Sequence, residues 1–273
     1  MTKDQIVKAA EQLAQAWRAN QTIERFSGDL VPKNRETAVA IQDELAKQID
    51  QDVVGWKVGG EIVGRVFEPN LFRSPAVLPA NLYRRSLLEI ELGFQILADL
   101  PPRQDTYSAD EVAERAVLVP TFELITPLFS ENIIPAKPGG YLPSEPEWLL
   151  AYAANAFCGG AVVGNPIDHW KDQPLGDLPI DVQIKNGSKV PVVPLEARTE
   201  PLEVLVWLAN GLSQRGIGLK PGQVVTLGGR VGPEPNVATM PISDLGGTVV
   251  VTYGQLGQLE LSLSGGSGKP PPN

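Results

Sequence analysis

The chain has 273 residues, and its 23 basic and 32 acidic side chains give a net charge of -9 at pH 7. This charge opposes binding to the nucleic-acid backbone, and no apolar run reaches the roughly 18 residues of a membrane-spanning helix, so we expect neither nucleic acid nor a membrane as a partner. The single cysteine, Cys158, excludes an intrachain disulfide and a multi-cysteine zinc site. Because charged residues interrupt the N-terminal segment where a signal peptide needs an apolar core, we expect a cytoplasmic protein.

The N-terminal region carries two helical patterns. Thr2 and Gln5 have capping-box spacing, and apolar residues then recur at a helical period to about Arg18. A second helix is expected over residues 36–51, with its apolar side chains on one face. We therefore expect residues 1–52 to form a helical region that packs on a larger body.

From Val53 onward, glycines and prolines separate short apolar stretches, a pattern that predicts brief strands and loops. The clearest strand signal covers residues 87–97, where alternate positions are apolar. Glu89 and Glu91 share the other face of this strand. Their spacing places two carboxylates side by side.

The second half of the chain mixes helix and strand signals. Ser108 has capping-box spacing and predicts a helix to about Val117 that Pro120 ends, followed by a strand over residues 121–126 that carries Glu123. Further elements are expected as a loop over 130–144, a helix from Pro146 to about Ala156 stopped by Gly159 and Gly160, a hairpin of 181–185 and 189–193 around Asn186-Gly187, a helix from Pro201 to near Gly216, a type II turn at 220–223, and strands over 224–227, 248–253 and 259–263.

These elements do not alternate regularly between helix and strand, which favours an α+β fold over a doubly wound sheet. We expect a β-rich body over residues 53–264 with helices around it. The tail over 265–273 has no apolar content and ends in three prolines, so we expect it to be disordered.

Several familiar catalytic sites are hard to build from this sequence. His169 is the only histidine, so a histidine-rich metal site is excluded, and we expect it in a surface loop. The nucleophile turn G-x-S-x-G is absent, as is the dinucleotide motif G-x-G-x-x-G. The sequence therefore disfavours a serine hydrolase and a nucleotide-binding protein.

The glutamates point to a metal site. Side chains at positions i and i+2 of a strand lie on one face about 6 to 7 Å apart, so Glu89 and Glu91 can converge on one ion. Glu123 lies in an apolar strand, where a carboxylate is costly unless it is paired or metal-bound. Three carboxylates suit Mg²⁺ or Mn²⁺. The alternative is a half-exposed polar face in which Arg84, Arg85 or Arg115 pairs with the glutamates.

Lys57 is a second candidate, since an ammonium among glycines and apolar residues is suited to proton transfer. A lysine that reaches solvent from a strand edge is the alternative. Trp56, Tyr83 and Phe157 are interpreted as core residues or as pocket lining, and Cys158 as a buried small side chain.

Five segments, taken in order, carry a resemblance to a known family. They are Gly55-Trp56-Lys57-Val58-Gly59, Glu89-Ile90-Glu91-Leu92-Gly93-Phe94 with Asp99-Leu100-Pro101, Phe122-Glu123-Leu124, Leu208-Ala209-Asn210 in the Pro201 helix with Arg215-Gly216, and Leu219-Lys220-Pro221-Gly222-Gln223-Val224-Val225. With them the chain, to about Leu263, resembles the 2-keto-4-pentenoate hydratase and 2-oxo-3-hexenedioate (4-oxalocrotonate) decarboxylase family, a branch of the fumarylacetoacetate hydrolase superfamily.

The resemblance implies a mixed β-roll with a helical N-terminal region, assembled into homo-oligomers. It implies Mg²⁺ or Mn²⁺ held by Glu89, Glu91 and Glu123, with Lys57 as the active-site lysine. The family acts on 2-oxo or 2-hydroxy-dienoic acids from the catabolism of aromatic rings, so a small 2-oxo acid is the implied substrate.

The sequence also departs from the family pattern at expected substrate contacts. Val58-Gly59-Gly60 replaces Gly-Leu-Thr-Ser after the lysine, which removes two hydroxyls. Asn155 is retained in a substrate-binding segment where Phe157 replaces a serine. We therefore expect Arg65, Asn155 and Phe157 at the substrate.

Three interpretations of function follow. The first is a hydratase acting on a 2-oxo-alkenoate such as 2-oxopent-4-enoate. The second is a 2-oxo-3-hexenedioate decarboxylase, which would need a cation such as Arg65 or Arg73 for the second carboxylate. The third is a non-catalytic oligomeric member of the family.

Overall fold

A computed structural model describes residues 1–273 apart from residues 27, 84, 131–145, 174, 176–177, 185–188, 196–199, 233–238, 243–247 and 265–273. The expected loop over 130–144, beyond its first residue, the Asn186-Gly187 turn and the expected disordered tail lie outside the described residues. The helices are α1 (Lys3–Ala19), α2 (Arg35–Ile49), α3 (Ala80–Tyr83), α4 (Ala109–Ala113), α5 (Pro146–Ala153) and α6 (Pro201–Gln214). The strands are β1 (Val53–Gly59), β2 (Ile62–Phe67), β3 (Leu71–Arg73), β4 (Ala76–Pro79), β5 (Leu87–Ile96), β6 (Ala116–Ile125), β7 (Cys158–Val163), β8 (Ile180–Ile184), β9 (Lys189–Val190), β10 (Val193–Pro194), β11 (Val224–Gly232), β12 (Thr239–Pro241), β13 (Thr248–Tyr253) and β14 (Gln258–Ser264).

The two N-terminal helices form as the sequence predicts. The Thr2 side chain accepts a hydrogen bond from the Gln5 backbone, and the Gln5 side chain accepts one from the Thr2 backbone, which completes a capping box. Helices α1 and α2 pack against each other, and α2 packs against α5. Their apolar faces form a core with Phe67 and Phe129. Within the described part of the chain, every helix is too short or too polar to span a membrane.

The main sheet carries the site. Its described strands run in the order β2-β1-β11-β5-β6-β7-β3, with β10 paired to β11 and β12 paired to β5. The β1–β11 and β3–β7 pairs are parallel, and the other pairs of this sheet are antiparallel. A second sheet runs β4-β14-β13-β8-β9. Together with the helices, the two sheets confirm the predicted α+β fold with a mixed β-roll.

The main sheet is strongly curled. Strands β1 and β6 are separated by β11 and β5, which would place them about 14 Å apart in a flat sheet. Yet the Lys57 ammonium on β1 lies 2.5 Å from a Glu123 oxygen on β6. The two flanks of the curl also meet, because a side-chain carbon added to Gly64 on β2 would lie 2.9 Å from Cβ of Cys158 on β7. The face that holds Lys57 and Glu123 is therefore the concave inner face of the roll.

The two faces of the main sheet have different contents. Leu88, Ile90 and Leu92 of β5 belong to the large core that the main sheet shares with the second sheet and α6. The inner face carries the alternate residues of the same strand. Part of that inner face is closed by Val119, Val163 and Val224, which form a small apolar cluster. We call this cluster the valine floor.

Two predicted helices were too long. The helix at Ser108 covers only Ala109–Ala113, and residues predicted as its C-terminal end belong to β6. Pro120 does not end that helix but lies within β6 opposite Leu92. Likewise α5 ends at Ala153, and the two glycines expected to stop it, Gly159 and Gly160, lie in β7.

Candidate metal centre

Three glutamates meet on the inner face of the roll. Glu89 and Glu91 lie two residues apart on β5, and Glu123 on β6 is the direct ladder partner of Glu89. Positions i and i+2 of a strand share a face, and ladder partners share it as well, so the three side chains converge. One ligand oxygen from each lies within 4.8 Å of the others. The structure thus brings together the three residues that the sequence singled out, and their role as ligands stays a prediction.

Glu91 is held by the backbone of β11. Its Oε2 accepts hydrogen bonds from the N–H groups of Leu227 at 2.8 Å and Gly228 at 3.0 Å. These amides are free because the β11–β5 register shifts between Thr226 and Gly229, and Gly228 adopts a positive φ of 91°. Glu91 Oε1 is buried and has no hydrogen-bonding partner among the described residues. One oxygen is therefore anchored and the other is available to a ligand.

Lys57 reaches the same site from the opposite wall of the roll. Its Nζ lies 2.5 Å from Glu123 Oε1, and only 5% of the residue is exposed. The Thr226 hydroxyl makes a long hydrogen bond of 3.5 Å to the other Glu123 oxygen. Gly59 lies beside the lysine, and a side-chain carbon there would come within 3.3 Å of Lys57 Cε. Lys57 is thus a buried partner of Glu123 and not a lysine that reaches solvent.

Burial and crowding of charge perturb this site strongly. Burial raises the pKa of Glu91 well above its usual value, and repulsion from Glu123 and Glu89 adds to that rise. Burial also raises the pKa of Glu123 to about 7, although the Lys57 ammonium opposes the rise. Burial alone would lower the pKa of Lys57, but attraction to Glu123 and Glu89 outweighs it, so the pKa of Lys57 is raised. Lys57 is therefore charged at neutral pH.

The donor set fits a hard divalent cation. Carboxylate oxygens are the ligands that Mg²⁺ and Mn²⁺ prefer, and such ions retain open positions for water and substrate. A cation among the glutamates removes the like-charge crowding that raises the pKa of Glu91. Glu91 Oε1, which is buried without a partner, is an available ligand atom. On these grounds Glu89, Glu91 and Glu123 are the residues that would hold the ion.

Arginines that could neutralise the glutamates lie elsewhere. Arg85 donates a hydrogen bond to the Asn20 carbonyl, and Arg115 donates one to the Glu111 carbonyl. Arg84 lies outside the described residues. Among the described arginines named in that alternative, neither is paired with the cluster.

Arg65 does not reach the carboxylates. It is the ladder partner of Trp56, which precedes Lys57 on β1, so its side chain leaves the opposite face of the sheet from Lys57. Its guanidinium donates hydrogen bonds to Gln42 Oε1 and Asp43 Oδ1 and lies 5.5 Å from the Trp56 ring. The structure therefore gives Arg65 a packing role between β2 and α2, which argues against the predicted substrate contact.

Asn155 has a structural role as well. Its amide oxygen accepts a hydrogen bond from the Arg65 N–H at 2.8 Å, and its amide nitrogen donates to the carbonyls of Arg65 at 2.9 Å and Cys158 at 3.3 Å. The side chain is 1% exposed. Asn155 thus ties the turn before β7 to β2, and this use of its amide argues against the predicted substrate contact.

The turn before β7 is unusual. Asn155, Ala156 and Phe157 have φ values of 57°, 53° and 56°, so three consecutive residues other than glycine lie in the left-handed region. Ala156 and Cys158 pack against Gly64, beside the strand that carries Lys57. Phe157 is half-buried and packs against the core of the N-terminal helices. Its predicted substrate contact stays a prediction.

The remaining residues behave as their core or surface interpretations predicted. Trp56 and Tyr83 belong to the large core. Cys158 is buried, and burial raises the pKa of its thiol. His169 is exposed in a loop.

Two cavities in the described part of the chain lie away from the glutamates. One of about 600 Å³ lies at the start of α6 beside Trp170 and Trp207. Another of about 490 Å³ lies beside Arg65 and Arg215. Neither lining includes a residue of the carboxylate cluster, so the case for this site rests on its converging side chains and not on cavity size.

Sequence reasoning missed the residues that support the cluster. Thr226 contacts Glu123, and the amides of Leu227 and Gly228 hold Glu91. Gly228-Gly229 within a strand pattern was an available signal for a bulge. Thr121, which shares the inner face with Glu123, gave no sequence signal.

Comparisons with known proteins agree with this geometry. No known protein-family profile matches the chain. The chain is 24% identical over 257 residues to a 2-keto-4-pentenoate hydratase of Paraburkholderia xenovorans (strain LB400), with 85% of this chain and 87% of that protein covered. It has the same identity and coverage with 2-keto-4-pentenoate hydratase 3 of Pseudomonas putida.

Solved structures show the same fold. A 4-oxalocrotonate decarboxylase from Pseudomonas putida G7 complexed with magnesium and adipate has a TM-score of 0.74 and 18% identity, with 96% of this chain and 98% of that chain covered. The complex of that enzyme with calcium and acetate has a TM-score of 0.73 and 19% identity, at the same coverage. The family resemblance of the sequence is thereby confirmed.

Proposed function

We propose that this chain, a relative of the 2-keto-4-pentenoate hydratases and 4-oxalocrotonate decarboxylases, is a divalent-metal-dependent lyase that adds water to a 2-oxo-alkenoate such as 2-oxopent-4-enoate. It would act on a small acid of aromatic catabolism in the cytoplasm. The observation that carries the proposal is the buried cluster of Glu89, Glu91 and Glu123 with Lys57 beside it. The sequence relatives and the solved structures support the same class of reaction.

Each residue of the cluster has a distinct part in this proposal. Glu89, Glu91 and Glu123 would hold Mg²⁺ or Mn²⁺, with Glu91 fixed by the two amides of β11. When bound, the ion supplies Lewis-acid stabilisation of the negative charge that develops on the 2-oxo acid. The curl of the sheet places these three side chains opposite Lys57, so acid and cation face one another across the roll.

Lys57 is the proposed catalytic residue. Its raised pKa keeps the ammonium charged at neutral pH, so it is suited to donate a proton to the substrate or to hold its anionic end. Its position 2.5 Å from Glu123 places it next to the proposed ligands. The apolar valine floor shields this side of the site from water, which strengthens charge interactions there.

Hydration is favoured over decarboxylation by the positions of the arginines. A 2-oxo-3-hexenedioate carries a second carboxylate that needs a cation. Arg65 leaves the opposite face from Lys57 and is bound to Asp43, and Arg73 is an exposed residue of β3. Neither candidate named from the sequence is part of the cluster. Decarboxylation remains the second candidate because the solved neighbours are decarboxylases.

One assay separates these activities. The purified chain is stripped of metal with a chelator, and the loss of dienoate absorbance is followed after Mg²⁺ or Mn²⁺ is restored. We expect turnover of 2-hydroxypenta-2,4-dienoate that depends on the metal, with the hydrated acid as product. Release of CO₂ from 2-oxo-3-hexenedioate would support the decarboxylase instead. Turnover of neither substrate would refute both and favour a non-catalytic member of the family.

We also propose that the chain forms a homo-oligomer. Val77, on β4 at the edge of the second sheet, is 65% exposed, and Leu82 in the next helix is 44% exposed. A free sheet edge with exposed apolar side chains is typical of a surface that pairs with another copy. Light scattering after size-exclusion chromatography tests this, and a monomer at micromolar concentration would contradict it.

A further inference from the structure

Thr121 is a buried hydroxyl that the proposed function does not use. It lies on β6 two residues before Glu123 and is the direct ladder partner of Glu91. Its side chain is therefore on the inner face with the carboxylates. The residue is 0% exposed, and Thr121 Oγ1 has no hydrogen-bonding partner among the described residues.

The surroundings of Thr121 place its hydroxyl between two kinds of environment. On one side lies the valine floor, where Val119 precedes it by two residues and Val163 is its ladder partner on β7. On the other side lies Glu91, whose Oε1 is also buried without a hydrogen-bonding partner. Gly93 lies beside both, and a side-chain carbon there would come within 3.1 Å of Thr121 Oγ1. The space next to the hydroxyl is open because Gly93 has no side chain.

A lone hydroxyl in this position has a physical cost. Burying a polar group without a partner is unfavourable, whereas valine has the same shape and would extend the apolar floor without that penalty. Two unpartnered polar atoms, Thr121 Oγ1 and Glu91 Oε1, face the same inner space from paired positions. Such a pair is explained when a polar ligand lies between them.

We propose that Thr121 is a positioning residue of the cation site, whose hydroxyl hydrogen-bonds a water molecule that the divalent ion retains beside Glu91 Oε1. This inference rests on the metal-dependent function proposed above. Ions such as Mg²⁺ keep several of their waters when bound by carboxylates. A hydroxyl that orients one of these waters acts on the ion through a hydrogen bond, as partners around ligands in other metal sites do.

The test compares three variants of the full chain. Thr121→Val removes the hydroxyl and keeps the shape, Thr121→Ser keeps the hydroxyl, and Thr252→Val is a matched control on β13 of the second sheet. Mn²⁺ affinity is measured by calorimetry and by electron paramagnetic resonance, and the melting temperature is measured in chelator. Loss of such a partner weakens metal binding by about 10-fold to 100-fold.

We expect Thr121→Val to weaken Mn²⁺ binding at least about 10-fold, and Thr121→Ser to remain within about 3-fold of the wild type. In chelator, Thr121→Val should melt no lower than the Thr252→Val control, because the hydroxyl has no partner to lose. Unchanged Mn²⁺ affinity in Thr121→Val would overturn the inference. So would an equal loss in Thr121→Ser, or a clear drop in the melting temperature of metal-free Thr121→Val.

The wild-type chain separates this inference from the proposed function. If it binds Mn²⁺ and shows the expected variant pattern but turns over neither dienoate, the proposed lyase activity fails and the role of Thr121 stands. If the lyase activity is present and Thr121→Val binds Mn²⁺ normally, the role of Thr121 fails alone. If the wild type binds no divalent ion, both fail.

Discussion

Replacing Glu91 by glutamine tests the metal centre most directly. Glu91 is fully buried, and its pKa is raised well above the usual range by burial and by repulsion from Glu123 and Glu89. In the metal-free protein near neutral pH it is therefore largely a neutral acid. Glutamine reproduces that neutral shape and still offers an oxygen to the amides of Leu227 and Gly228. We expect the metal-free Glu91→Gln protein to fold and to melt within a few degrees of the wild type.

The effect should appear when metal is added. Loss of a partner beyond the ligands already costs about 10-fold to 100-fold in affinity, so loss of a charged ligand should cost at least about 100-fold. At a Mg²⁺ concentration 100 times the wild-type dissociation constant, the wild type gains about 2.7 kcal/mol, whereas the variant gains about 0.4 kcal/mol. For a domain of this size the difference of about 2.3 kcal/mol corresponds to about 5 to 9 °C in melting temperature.

Differential scanning fluorimetry in chelator and in Mg²⁺ measures both quantities. The matched control is Glu260→Gln, which makes the same change on β14 of the second sheet. The control should keep the full metal-dependent shift and the full turnover of dienoate, and Glu91→Gln should lose both. A Glu91→Gln protein that keeps the wild-type shift would refute the assignment of Glu91 as a ligand. One that melts far below the wild type in chelator would refute the claim that Glu91 is largely neutral there.

Three other predictions follow from the contacts of the site. Lys57→Met should reduce turnover at least about 100-fold while Mg²⁺ affinity, measured by calorimetry, stays equal or increases, because a competing cation beside Glu123 is removed; weaker Mg²⁺ binding would contradict this. Because burial raises the pKa of Glu123 to about 7 from 4.5, the folded metal-free protein binds more protons than the unfolded chain between these values, so its stability should fall as the pH rises from about 4.5 to 7, by up to about 3 kcal/mol, while Mg²⁺ binding tightens; urea titrations in chelator check the sign. Asn155→Ala should cost about 2 to 4 kcal/mol of stability, measured in the same titrations, because it leaves the N–H and carbonyl of Arg65 without their side-chain partner; a loss below about 1 kcal/mol would show that Asn155 does not hold the turn.

The sequence predicts the carboxylate cluster because its geometry is local. The i, i+2 spacing of Glu89 and Glu91 fixes their common face once residues 87–96 are a strand. The position of Glu123 in the next apolar strand makes ladder pairing with Glu89 a natural outcome of two adjacent antiparallel strands. The family resemblance adds the ion and the substrate class, which the spacing alone does not provide.

The sequence does not predict which face Arg65 occupies, because that depends on the register of β1 against β2. A shift of one residue would have placed its guanidinium on the inner face with Lys57. The register found pairs Arg65 with Trp56 and leaves Gly64 opposite Lys57. The helix predicted from Ser108 to Val117 fails for a similar reason. Pairing of residues 116–125 with β5 outweighs the helical pattern, and Pro120 is accommodated within the strand.

The balance of charge explains why these residues can share a buried site. With Glu89, Glu91 and Glu123 ionised and Lys57 protonated, the formal charge of the group is two negative units. A divalent cation cancels that charge in full, whereas the metal-free protein can reduce it only by holding protons. The raised pKa values of Glu91 and Glu123 show this proton uptake directly. Ion and protons therefore compete for the same oxygens, and the curl that brings Lys57 to Glu123 leaves a charge deficit that matches one divalent ion.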